Sequence, residues 1–314
     1  MSLNLHLLRL FATVARTGSF SRAAEILHIS QPAISKSVRD FEAQVGCRLL
    51  DRGPKGVRPT REGEALARHA RTLFAAERAA EEELRALRGL HQGSLRVGAS
   101  TTIATYMLPD HLGAFHRAHP GIELHIVSAN TRAIAELMAG HEIDVALVEG
   151  PVEDHDLVCE PWRTDAMVLI AAPSHPLAAA AGRVVPEMIA GEVLIVREPG
   201  SGSREVVADA LAARGVRPAR TLEIGSTEAI KQVVAAGLGL AIVSAATVKD
   251  QVALGRLTVI PWQGFSIKRS LWRLRKPGRL ETPAARAFGK LLSVSTEGMD
   301  SETADGSREE AALC

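Results

Sequence analysis

At Gly93 the spacing of apolar residues changes period, and the change divides the chain into two kinds of structure. Before it, apolar residues recur every three or four positions, as on one face of a helix. Leu3, Leu7, Leu10, Phe11 and Val14 form one such stripe over residues 3–17, and Ile34, Val38, Phe41 and Val45 form another. After it, short strand-like runs alternate with helical ones: LRVGAS, ELHIVSA, DVALVEG, AMVLIAA, VLIV, TLEI, LGLAIVS and SLWRLR. A helix through Leu112 and Phe115 to His119 separates the first two runs. Alternation of this kind predicts an α/β body with mostly parallel sheets, long enough for two lobes.

In the head, Thr17-Gly18 ends the first helix, and Ser19 or Ser21 caps a second that runs to about Leu27. His28-Ile29 makes a turn and Ser30 caps a third helix. Pro32 falls at its second position, where a missing N–H costs nothing because first-turn amides have no helical partner. Ala23 and Ala24 are small enough to let the second helix lie close to the third. With Ile34, Val38 and Phe41 turned inward, Gln31, Ser35, Lys36 and Arg39 are expected to face outward. Leu49 to Pro59 reads as a hairpin with Gly53-Pro54-Lys55-Gly56 at its tip, and Thr60 caps a long helix running to about Leu90.

Three helices and a basic hairpin make a winged helix-turn-helix plan. Gln can bond base edges bidentately, Ser reaches base or phosphate, and Lys and Arg reach phosphate or guanine. Charge agrees with that chemistry. Residues 1–61 hold ten Lys and Arg against four Asp and Glu, a net +6, although the whole chain carries only +1. The last twenty residues carry −5, so the body between is neutral and the head alone suits a polyanion.

The fourth helix places Leu66, Leu73, Ala80 and Leu87 seven apart, with Ala70, Glu77 and Leu84 in the alternate seam. At 1.5 Å per residue it spans roughly 45 Å, more than a small domain covers. The seam reads either as a dimerising coiled coil or as a face packed on its own domain. Cys47, Cys159 and Cys314 lie far apart with no CxxC, which fits a reducing compartment. There is no GxSxG, HExxH, Walker A, complete GxGxxG or metal-ligand spacing, so no catalytic residue, metal or cofactor is expected. MSLNLHLLRLFATVA reads as a helix, not a signal peptide, and the apolar run Ala235 to Val248 is too short to span a bilayer. A soluble, cytoplasmic chain with no membrane partner is expected.

In open α/β sheets, ligands sit beyond the carboxyl ends of the strands. Ser100-Thr101-Thr102 ends the first strand, Ser128-Ala129-Asn130-Thr131 the second and Glu149-Gly150 the third. REPGSGSR (197–204) opens into a helix through Gly202, Ser203 and Arg204, and Gly225-Ser226-Thr227 opens another. Hydroxyls and free amides at helix N-termini can hold an anion. Singly each is an ordinary N-cap; convergence from two lobes is what points to a small-molecule site.

The stretch SFSRAAEILHISQPAISKSVRDFEAQVGCRLLDRGPKGVRPTREG resembles the N-terminal module of the LysR-type transcriptional regulators. In that family a winged helix-turn-helix leads through a linker helix to a two-lobed effector domain resembling periplasmic binding proteins. The resemblance implies a DNA-binding domain at 1–59, a linker and dimerisation helix at 60–92 and an effector-binding domain at 93–294. Lobe I would take about 93–163 and 266–294, lobe II about 164–265, and 295–314 would be a disordered acidic tail. Cys47 and Leu50 depart mildly from the hydrophobic residue and the Phe common at those places.

By that similarity Gln31, Pro32, Ser35 and Lys36 enter or flank the major groove, beside Ser21 and Ser30 and supported by Arg39. Arg52, Lys55 and Arg58 would lie in or beside the wing. REPGSGSR, STEAIKQVVAAGLGLAIVS and GASTTIATYMLP resemble a subgroup that regulates carbon fixation and sulfur assimilation and responds to small anions or phosphorylated metabolites. The implied effector is anionic, held by Ser100, Thr101, Thr102, Ser128, Asn130, Thr131, Glu149, Gly202, Ser203 and Thr227. Arg204 would either neutralise it or support lobe II from outside the cleft. Implied partners are double-stranded DNA bearing an imperfect palindrome, a small anionic metabolite, and further copies of the chain as a dimer or, as in most of the family, a tetramer. RNA polymerase is a further candidate. A ligand-independent or redox-responsive regulator is the alternative within this architecture. A small-molecule binding protein or an enzyme on a binding-protein fold is the alternative outside it.

Overall fold

The computed structural model describes residues 3–53, 56–86, 93–150, 152, 156–180, 184–262 and 265–293. The chain divides into two compact units, 1–81 and 82–314.

The first unit opens with α1 (Leu5–Thr17), α2 (Phe20–Leu27) and α3 (Gln31–Val45). Asn4 starts α1 by accepting from the amides of His6 and Leu7, so Leu3 stays outside the helix and exposed while Leu8 joins the core. Ser19, not Ser21, caps α2, accepting from the Arg22 amide at 3.3 Å. Ser30 caps α3 through the Ala33 amide, with Pro32 in the first turn as expected. Phe11, Ile34, Val38 and Phe41 are fully buried between the three helices.

The wing is β1 (Leu50–Gly53) paired antiparallel with β2 (Gly56–Pro59). Three bonds fix its angle against the helices. The Glu42 carboxylate accepts from the amides of Leu49 and Leu50 at 2.8 and 3.1 Å, and the Gly18 carbonyl accepts from the Val57 amide at 3.0 Å. Its tip, with Lys55, lies outside the described residues.

Thr60 caps α4 (Arg61–Ala86) through the Gly63 amide; the expected continuation to Leu90, including Leu87, lies outside the described residues. Ala67, Ala70 and Phe74 pack into the helical core, and Arg9 bonds Glu77 while its guanidinium lies 4.3 Å over the Phe74 ring. The first turns of α4 therefore pack on their own unit. Leu73 and Leu84 remain 37% and 65% exposed, which leaves an apolar stripe for another surface.

The second unit starts with β3 (Gly93–Ser100), α5 (Thr101–Tyr106), α6 (Pro109–Ala118), β4 (Ile122–Ala129), α7 (Thr131–Ala139) and β5 (Val145–Glu149). It continues through β6 (Val158–Ala171), α8 (Pro176–Ala179), β7 (Val193–Val196), α9 (Gly202–Ala212), β8 (Arg220–Glu223) and α10 (Thr227–Ala235). Then come β9 (Leu240–Ser244), α11 (Lys249–Ala253), β10 (Thr258–Ile260), β11 (Ile267–Arg275) and α12 over residues 283–293. Where one helix was expected through to His119 there are two, because Pro109 cannot continue the α5 ladder and starts α6 instead.

Strand order is β4-β3-β5-β11-β6-β9-β7-β8, with β10 added to β6. Parallel pairing holds within β3–β5 and within β7–β9. Between them β6 and β11 run antiparallel, so the two halves are ends of one sheet joined by a ribbon. The expectation of mostly parallel sheets misses that ribbon. β6 begins eight residues before AMVLIAA, in polar sequence held by its pairing with β11 from Val158 to Met167. Each half buries apolar side chains on both faces, such as Val97 and Phe288 on one face of the first half and Ile134 and Val148 on the other. Among the described residues no helix is long and apolar enough to cross a membrane.

Candidate nucleic-acid interface and ligand junction

On α3, Gln31, Pro32, Lys36 and Arg39 are exposed, as are Ser21 in the first turn of α2 and Arg58 on β2. Ser30 is exposed with its hydroxyl committed to the cap. Ser35 departs from its expected outward position. It follows Ile34 and precedes Val38 by three, so the helical step turns it toward β1, and it is 7% exposed. Its hydroxyl accepts from Arg52 Nη2 at 3.3 Å, and its carbonyl from Arg39 Nε at 3.2 Å. The Arg52 guanidinium also lies 4.5 Å over the Phe20 ring. Arg52 is thus braced between α2 and α3, and part of the ordering cost of a phosphate contact is already met.

In the second unit the carboxyl end of β5 meets the start of α9. Thr131 donates to the Glu149 carbonyl at 3.0 Å and accepts from the Gly202 amide at 3.3 Å. The Gly202 backbone lies so close that a Cβ there would be 1.7 Å from the Glu149 carbonyl oxygen. Ser203 donates to the Glu149 carboxylate, which also takes Arg269 Nη1 at 2.8 Å. Arg269 Nε donates to Asp165 at 2.8 Å, and Ser244 donates to the other Asp165 oxygen at 2.9 Å. Burial pushes the Glu149 carboxyl up, but Arg269 and the hydroxyls of Ser203, Thr102 and Ser100 together hold it below the ordinary glutamate value. Even so, Glu149 Oε1 and Ser100 Oγ are buried without a partner in full hydrogen-bond geometry.

The remaining expected residues sort around this cluster. Asn130 caps α7 at 3.0 Å and helps stabilise the Glu198 carboxylate, whose nearest cation is Arg197. Thr227 accepts from Arg197 Nη1 at 3.1 Å. Arg204 bonds the Arg197 carbonyl and Glu223, both at 2.7 Å, and so supports the second half from outside. Ser128 is exposed on β4, and Thr101 opens α5, its carbonyl accepting from Thr105 at 2.8 Å. Neither joins the buried cluster.

Arg269, Asp165, Ser244 and Arg197 were not anticipated, nor was Lys231, which reaches across to the Tyr106 hydroxyl at 2.7 Å. Strand alternation carried a signal for Arg269, since Ile267, Arg269 and Leu271 share the buried register of β11. Among the described residues no group of three His, Cys, Asp or Glu could hold a metal.

Residues 5–64 match the bacterial regulatory helix-turn-helix protein, lysR family, and residues 88–294 match the LysR substrate binding domain. The regulator CfxR of Cupriavidus necator is 36% identical over 273 residues, covering 87% of this chain and 85% of its own. A RuBisCO operon transcriptional regulator of Acidithiobacillus ferrooxidans is 34% identical over 295 residues, covering 94% and 95%. Among solved structures, a full-length OxyR variant from Pseudomonas aeruginosa superposes with a TM-score of 0.74 at 26% identity, covering 94% and 95%. The regulatory domain of Synechocystis CcmR, in complex with 2-PG, gives 0.62 at 33% identity, covering 66% of this chain and 99% of that one. The chain belongs to the LysR family of DNA-binding transcriptional regulators, with a helix-turn-helix head and an effector-binding body.

Proposed function

We propose that this regulator reads an imperfect palindrome with α3, through Gln31, Lys36 and Arg39, with Ser21, Ser30 and Pro32 at the groove edge. Arg52, Lys55 and Arg58 hold the flanking backbone, and Ser35 acts by bracing Arg52. Pairing of two chains along the exposed Leu73 and Leu84 stripe would set two reading helices on successive major grooves. The effector domains would join dimers into tetramers in the cytoplasm, with RNA polymerase contacted from that assembly. Regulation, not catalysis, fits relatives that are themselves transcriptional regulators.

The effector site is the junction of the two halves, and the observation that carries it is the buried pair Ser100 Oγ and Glu149 Oε1, neither of which has a partner in full hydrogen-bond geometry. A ligand there must accept from Ser100 and donate to Glu149, which suits a small anion that also bears a hydroxyl. The 2-PG complex of CcmR supports an anionic effector. Ligand binding that favours one arrangement of the halves would shift the DNA-bound population.

A thermal-shift screen against small anions and sugar phosphates tests this. A true effector at 100 times its Kd adds about 2.7 kcal/mol. Ser100→Ala with Thr102→Ala is expected to abolish that shift and the effector-dependent change in footprint; survival of both would place the effector elsewhere. On the DNA side, Arg52→Ala is expected to weaken operator binding and reduce the log–log salt slope by about one. An unchanged slope would remove Arg52 from the phosphate contacts.

A further inference from the structure

β6 contains a register shift. Leu271 pairs with Arg163 but its neighbour Trp272 pairs with Pro161, so Trp162 is an extra residue bulged out of the ladder. A bulge re-aims side chains, and here it lets two consecutive residues gather at one spot. The Arg163 guanidinium lies 4.9 Å over the Trp162 ring. His111 of α6 meets the same indole edge-on, with centroids 6.0 Å apart, and its Nε2 lies 3.1 Å from Arg163 Nη2. Trp162 and His111 are 8% and 7% exposed.

The nook holds more donors than acceptors. Trp162 Nε1 and Arg163 Nε are both buried and bond nothing, and each can only donate. Among the described residues no ion pair of Arg163 with a carboxylate is found, and burial is the one influence on its guanidinium, pulling it below its ordinary value. Burial and then the Arg163 charge pull His111 down, while Asp110, an exposed neighbour, opposes this. A neutral His111 whose Nε2 accepts a hydrogen bond from Arg163 Nη2 carries its own proton on Nδ1. It is an acceptor for one Arg163 arm and no counter-charge for the cation.

We propose that Trp162, Arg163 and His111 form a second binding site, separate from the junction at Glu149, that takes a small oxyanion, with a carboxylate as the best fit. One oxygen accepts from Trp162 Nε1 and the other from Arg163 Nε, and the anion supplies the charge the nook lacks.

Isothermal titration of the full chain with acetate, hydrogencarbonate and sulfate tests the site. Saturable binding of at least one is expected, weakened roughly tenfold by Trp162→Phe, which keeps the stacked ring and removes only the N–H. Arg163→Gln is expected to abolish it, and serves alone should Trp162→Phe fail to fold. Emission from Trp162, with Trp262 and Trp272 changed to Phe, should shift over the same concentrations. Absence of saturable binding, or binding indifferent to both variants, would overturn the proposal and leave water as the acceptor.

Discussion

Arg269→Met is expected to lower the thermal midpoint of the effector-binding unit by roughly 10 °C, from a loss of about 3–5 kcal/mol. The Arg269 side chain is fully buried, and it bridges Glu149 at the end of β5 to Asp165 on β6. Methionine fills much of the volume but leaves two buried carboxylates facing each other without a cation. Uncompensated charge is then the cause, not a cavity. Adding Glu149→Gln and Asp165→Asn should therefore recover most of the midpoint. A calorimetric scan showing less than about 1 kcal/mol of loss for the single variant would mean that water enters and the network is open. Because Ser203 and Ser244 bond the same carboxylates, the variant should also loosen α9 and β9 against the ribbon.

Gly202→Ala is expected to uncouple effector from DNA while leaving operator binding by the head intact. Its Cβ would fall 1.7 Å from the Glu149 carbonyl oxygen and 2.9 Å from Thr131 Oγ1, both on the opposite half. Neither is the loose end of a long side chain, so the halves themselves must separate. The adjacent Ser203 bonds to Glu149 and Arg269 would go with them. Overpacking of this kind costs about 1–3 kcal/mol, and the loss of the closed arrangement should remove the effector-induced thermal shift. If both the shift and the midpoint survive, the close backbone seam is not needed for the response.

Local rules made the head readable. A Ser cap, a proline tolerated in a first turn and a 3.6-residue stripe each depend on near neighbours in sequence, so Ser30, Pro32 and Ile34 fell where expected. Ser35 did not, because the inward stripe of Ile34, Val38 and Phe41 carries no sign of the wing that buries it, which Glu42 and Gly18 bring in. The junction hydroxyls were legible as strand and helix ends. Their organising cation was not, since Arg269 lies 104 and 120 residues from Asp165 and Glu149. Polar PWRTD lacks any strand period, and only pairing with β11 makes it one.

The clamp of Arg9 on Glu77 and Phe74 gives the head a handle. From Arg61 to Glu77, α4 extends roughly 25 Å at 1.5 Å per residue, and near its far end Arg9 of α1 holds it. Head and handle turn together as one lever. A tilt of about 10° applied at the far end would carry α3 through roughly 4 Å, about one base-pair step of 3.4 Å. If α3 reads the operator as proposed, small angular changes along α4 would be enough to move it by one register.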